Sequence, residues 1–155
     1  EQSISHGITT FVAQNRGAGR KERIRKGFRR GLMLEACYWV FICITITLFR
    51  RPLMGLFVTA GNEGIVALGS SYLGLMALFY VFPAFTNGIQ GFFRGMGNMS
   101  VTLLGTFVQT SLRVVFVYLL TPGIGLLGVA YACAIGWSVM LLVEVPYYFW
   151  FMKDK

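Results

Sequence analysis

The 155 residues carry 55% apolar side chains, only 13% charged ones and a mean hydropathy of +0.64, well outside the range of an ordinary soluble domain. Fourteen Lys and Arg stand against six Asp and Glu for a net charge of +8, yet residues 16–30 alone hold eight of the cations and one acid. A soluble nucleic-acid-binding domain, a disordered chain and a disulfide scaffold all fit poorly, because each needs dispersed charge or more than the three cysteines present.

What remains is an all-α, polytopic membrane protein. In chain order, residues 1–15 read as the closing turns of a helix that begins upstream, so the sequence is expected to be a piece of a longer protein. The cations follow this apolar stretch instead of preceding it, which is not the pattern of a signal peptide. Residues 16–30 read as a basic loop whose preceding helix is broken by Gly17 and Gly19. A crossing helix needs roughly 20 apolar residues to span about 30 Å of hydrocarbon, and four stretches supply them. The first, 31–49, is apolar except for Glu35 and lies between Arg29-Arg30 and Arg50-Arg51. Residues 64–93 carry no charge, more length than one upright crossing requires; the first part is assigned to the interface and 72–91 to the crossing. Residues 101–120, with Arg113 inside, and 126–150, with Glu144 near the far end, complete the set.

Strict alternation of sides places 16–30, Arg94, Lys153 and Lys155 on one face, which then holds eleven of fourteen cations. By the positive-inside rule that face, with the C-terminus, is cytoplasmic, and Tyr147, Tyr148 and Trp150 form its aromatic belt. The basic segment, with Phe28 as its one aromatic, suits topology and anionic headgroups better than nucleic acid. Cys37, Cys43 and Cys133 fall in apolar runs and read as small buried hydrophobes.

Polar residues are expensive in hydrocarbon, so their arrangement carries the functional signal. Tyr80, Pro83, Asn87, Gln90 and Arg94 are spaced 3, 4, 3 and 4, one face of a helix. Pro83 removes an amide donor and frees the Phe79 carbonyl, which predicts a kink beside that stripe. Thr102, Thr106, Gln109 and Arg113 form a second stripe. Two such stripes suggest either a shared cavity or hydrogen-bonded glue between helices. The charge of Arg113 requires a partner; Glu35 is one candidate, although one turn from the boundary it also has the reach to snorkel. Gly128, Ala132 and Gly136 recur every fourth residue, a packing face. His6 stands apart from any ligand-spaced Cys, Asp or His, so neither a metal site nor an enzyme is expected.

Three motifs carry a resemblance. The run from Phe11 through Gln14, Asn15, Arg16, Gly17, Ala18 and Gly19 to Arg23 resembles the AQN-GAG---R signature after the eighth helix of multidrug and toxic compound extrusion (MATE) transporters. Arg94, Gly95 and Gly97 resemble the RG-G signature after their tenth helix, and 125–130 resembles the GL-G-A entry to the twelfth. The resemblance implies four full transmembrane helices plus the end of a fifth, from the C-terminal lobe of a twelve-helix, two-lobe antiporter. It further implies alternating access that exports amphipathic, often cationic compounds against sodium or protons, by a multi-pass cell-membrane protein, monomeric at full length. No cofactor beyond the coupling ion and no nucleic acid is implied; membrane lipids are the other partner. Some members carry a coupling acid in helix ten, where this sequence has Pro83, with no acid between Glu63 and Glu144. Coupling then falls to the other lobe or to Glu35, with Tyr80, Pro83, Asn87, Gln90, Arg113 and Glu35 as pathway residues.

Two alternatives compete. A lipid-linked-oligosaccharide flippase of the same superfamily shares the architecture but needs several intramembrane cations, whereas Arg113 stands alone in the spans. A four-span structural subunit predicts an initiating Met and a complete first span.

Overall fold

The computed structural model describes residues 1–58 and 62–153, and all of its regular structure there is helical. Helix α1 spans Gln2–Gly17, α2 Lys21–Gly55, α3 Glu63–Phe79, α4 Val81–Gly95, α5 Met99–Ile124 and α6 Leu126–Lys153. Four helical rods have the length and hydropathy to cross a membrane, with α3 and α4 forming one rod from Glu63 to Gly95.

Helix α2 holds 35 residues, a length of about 52 Å, so it overshoots the hydrocarbon by several turns. The excess is the basic segment. Most of 16–30, expected as a loop, is helical from Lys21 onward, and the loop proper is the turn at Ala18 and Gly19, where Gly19 takes φ +67°. Lys, Arg and Glu are strong helix formers, and a Glu22–Lys26 pair at 3.6 Å adds an i,i+4 contact. The positive charges thus ride on a helix, spaced around its cylinder.

The rod of α3 and α4 is interrupted at Tyr80. Pro83 lacks an N–H and its ring meets the carbonyl of Phe79, so the break falls three residues before the proline. Trp39 of α2 donates its indole N–H to the Ala77 carbonyl at 3.0 Å, in the last turn before the break.

Glycine sets how closely the helices approach. Helices α1 and α4 run side by side in the same direction: a Cβ on Gly91 would lie 2.6 Å from the Ser5 carbonyl, and one on Gly95 2.7 Å from that of Thr9. Ser5 and Thr9 hydroxyls donate to the Asn87 and Gly91 carbonyls across the same seam. The antiparallel pair α5 and α6, joined through Gly125 at φ +59°, packs along Gly128 and Gly136 against the α5 backbone at Leu120 and Gln109. The small-residue face read from the sequence is therefore the α5 contact.

One end of the bundle collects the C-termini of α1, α4 and α6 and the N-termini of α2 and α5. Arg16 donates to the Met96 carbonyl, and Arg25 to that of Met152 at 3.4 Å. At this end Phe28, Phe92, Phe93 and Phe151 form the buried core with Ile8, Val12, Ile24 and Ile89. Phe92 packs on Phe28 and Tyr148, each with ring centroids 4.9 Å apart. The grouping of cations at one end matches the alternation of spans, with Lys155 outside the described residues. Cysteine burial differs from expectation: Cys133 is buried, Cys43 half-buried and Cys37 exposed, because Cys37 lies on a face of α2 that no other helix of this chain covers.

Candidate functional site

The polar stripe on α4 distributes among different neighbours. Asn87 is half-buried and turns its backbone carbonyl to the Ser5 hydroxyl of α1. Arg94, one of the motif residues, donates from Nη2 to the same Ser5 Oγ at 2.7 Å, so Arg94, Ser5 and Asn87 form a chain that ties α4 to α1. Pro83 is buried. Gln90 is buried on the side of α6 and donates to Glu144 Oε1 at 3.3 Å.

Tyr80 and Arg113 do come together. They share an open hollow of about 610 Å³ with Tyr72, Val117, Cys133 and Trp137. The Tyr80 and Trp137 rings meet edge to face with centroids 5.9 Å apart. A concave surface of aromatic and aliphatic side chains with one charged group is the usual make-up of a small-molecule binding region. It lies directly beside the helix break at Tyr80. The second stripe also divides: Arg113 enters the hollow, Gln109 packs its backbone against Gly136, and Thr106 is exposed.

Glu35 neither snorkels nor pairs with Arg113. Its side chain is fully buried near Gly88 and Leu32, and neither carboxylate oxygen has a hydrogen-bond partner among the described residues. One turn from the boundary proves to be deep, because α2 continues as helix through the basic segment and α1 covers that face at Gly31.

The remaining motif residues are architectural in this chain. Asn15 donates to the Phe11 carbonyl at 2.8 Å within α1, and Gln14 is exposed. Gly17, Ala18 and Gly19 form the α1–α2 turn, Gly95 permits the close approach to Thr9, and Gly97 takes φ +74° under the Arg16 side chain. Arg23 borders a hollow of about 620 Å³ between α1 and α2 together with Lys26 and Arg30.

Sequence reasoning passed over two residues. Ser5 is a small hydroxyl in a helix whose neighbours are not visible from its own spacing. Glu144 is 1% exposed and carries an oxygen, Oε2, without a partner among the described residues. It is the one acid within 126–150, and that isolation was the available signal. No group of three His, Cys, Asp or Glu among the described residues is arranged to hold a metal ion.

The family model MatE matches residues 1–119. Among curated proteins, the "Probable multidrug resistance protein NorM" of Thermotoga maritima is 32% identical over 128 residues, 81% of this chain and 27% of that protein. A protein of the same name from Bacillus subtilis is 27% identical over 107 residues, 69% of this chain and 23% of its own. Among solved structures, an inward-facing multidrug resistance MATE family transporter of the MOP superfamily superposes with a TM-score of 0.85 at 25% identity, covering 94% of this chain and 33% of its own. A crystal structure of a MATE point mutant gives 0.81 at 25% identity over 99% of this chain and 34% of its own. The chain thus spans about a quarter of the curated relatives and a third of the solved structures.

Proposed function

This chain belongs to the MATE family, a multi-pass membrane protein family, and from that premise we propose that it is the part of a transporter lobe that exports amphipathic, often cationic compounds by alternating access. Sodium or protons moving the other way supply the energy. The lobe sits in the cell membrane with the basic end of the bundle and the C-terminus cytoplasmic, and the full-length protein works as a monomer without a cofactor.

One observation carries the reading: the aromatic hollow of Tyr72, Tyr80 and Trp137 lies against the interruption of a membrane-spanning rod. Aromatic faces bind apolar bodies and attract cations. A bend at Tyr80 changes the angle between α3 and α4, and Tyr80 itself is part of the hollow's wall. Substrate contact and helix geometry are therefore linked through one residue, as a rocking mechanism requires. A hollow of this kind discriminates weakly, by about 1–3 kcal/mol per methylene, which suits a broad substrate range.

The test is cysteine accessibility in the full-length protein, with Cys37, Cys43 and Cys133 replaced by Ala. Tyr80→Cys and Arg113→Cys should react with aqueous thiol reagents in one of the two facing states and be protected by substrate, whereas Ala84→Cys and Phe92→Cys should stay unreactive. Protection of Tyr80→Cys and Arg113→Cys in both states would remove the hollow from the pathway. Dye efflux under separately imposed sodium and pH gradients identifies the coupling ion, and energisation by neither would end the antiport reading.

A further inference from the structure

A buried acid on α6 lies outside the hollow just described. Glu144 accepts a hydrogen bond from Gln90 Nε2 at 3.3 Å through Oε1, and Gln90 Nε2 also lies 3.9 Å from Met140 Sδ. Its other oxygen, Oε2, has no partner among the described residues, although the side chain is only 1% exposed. Gly105 of α5 faces it so closely that a Cβ there would stand 3.1 Å from Oε1. A separate hollow of about 340 Å³ between α5 and α6, lined by Leu104, Gly105, Val108, Met140 and Tyr147, reaches Glu144.

The groups that face this carboxyl are neutral. Helix α4 contributes Gln90, α5 contributes Gly105, and α6 contributes Met140 and Tyr147, whose hydroxyl accepts from Asn98 Nδ2 at 3.1 Å. No Lys, Arg or His among the described residues forms an ion pair with it. An unpaired buried carboxylate is costly, so an acid in such a place needs something to neutralise it. No second His, Cys, Asp or Glu lines the hollow beside Glu144, and no group of three such residues occurs among the described residues. A proton needs only the one free oxygen.

We propose that Glu144 is a proton-exchange site of this lobe, reached through the α5–α6 hollow and read out by Gln90. A hydronium ion entering the hollow gives its proton to Oε2: one O–H bond forms there, one breaks in the hydronium, and water is left, with the carboxylate now a neutral acid. With the proton on Oε2, Oε1 becomes a neutral carbonyl oxygen that still accepts from Gln90 but no longer in a charge-assisted bond, so the Gln90–Glu144 link weakens. Gln90 belongs to α4, the half-rod beyond the Tyr80 break, so each protonation changes the link between α4 and α6. The coupling part of this inference rests on the transport reading above; the protonation part does not.

The two parts are tested separately on the purified full-length protein in proteoliposomes. Infrared difference spectra across a pH step should contain a carboxyl C=O stretching band that is lost in Glu144→Gln, kept in Glu35→Gln, and shifted in Gln90→Leu, which retains the acid without its donor. A band unchanged in Glu144→Gln, or unmoved in Gln90→Leu, overturns the proposal, and the Gln90→Leu arm stands even where Glu144→Gln fails to fold. In the same vesicles Glu144→Gln should lower pH-driven dye efflux on the order of tenfold relative to wild type while leaving dye binding within about twofold. Full pH-driven efflux in Glu144→Gln overturns the coupling role. Absence of dye efflux in the wild type counts against the transport reading alone, because the spectroscopic arms do not depend on it.

Discussion

The two ends of the bundle are built from different materials. At the basic end, Phe28, Phe92, Phe93 and Phe151 are buried and interlocked, side chains from α1 and α2 cross to neighbouring backbones, and Arg94 of α4 reaches the Ser5 hydroxyl of α1. At the opposite end, the buried residues are small ones, such as Gly69, Ser70, Ala77 and Ala130, while Leu56 and Phe57 are 80% and 85% exposed. Packing free energy follows the contacts removed by a truncation, so a side chain lost at the first end costs more than one lost at the second. In packing terms the first end is the coherent one and the second the compliant one.

The sharpest way to break this contrast is Phe92→Ala, which removes a fully buried ring from the centre of the aromatic end. It should cost about 3–5 kcal/mol, read as a large fall in Tm of the detergent-purified protein. Gly91→Val is next: its Cβ collides with the Ser5 carbonyl, a backbone atom that cannot swing away, and the loss should be about 1–3 kcal/mol or more. Ser5→Ala leaves the Arg94 guanidinium and the Asn87 carbonyl short of a partner and should cost about 1–2 kcal/mol by the same measurement. Trp39→Phe removes the donor to the Ala77 carbonyl for about 1 kcal/mol, with amide exchange accelerating around 76–84 before other regions. Phe57→Ala at the compliant end should change Tm by the equivalent of less than about 0.5 kcal/mol. A Phe57→Ala loss as large as that of Phe92→Ala would erase the distinction.

Hydropathy and charge alone made the four crossings and their grouping legible, because a charge-free run of the right length has few other fates. The basic segment reads as a loop by its polarity, yet Glu22, Lys26 and their neighbours favour helix when one end is already nucleated by an apolar span. Pro83 announced an interruption of the helix, which falls at Tyr80, since its ring acts on the residue four positions earlier. Spacing identifies which residues share a face of their own helix and says nothing about which helix lies opposite. The partnership of Gln90 with Glu144, 54 residues apart, was therefore invisible, and the stripe from Tyr80 to Arg94 divided among α1, α5 and α6 instead of facing one chamber.

The joint at Tyr80 has a mechanical corollary. Helix α4 is riveted to α1 through Gly91, Gly95, Ser5 and Thr9, so any flexure at that joint would have to move α3 together with its packing along α2. The 17 residues of α3 measure about 25 Å. A change of about 20°, ordinary for a proline hinge, would sweep the tip by about 9 Å. The indole of Trp39, clasping α3 close to the joint, works as a brake on that movement.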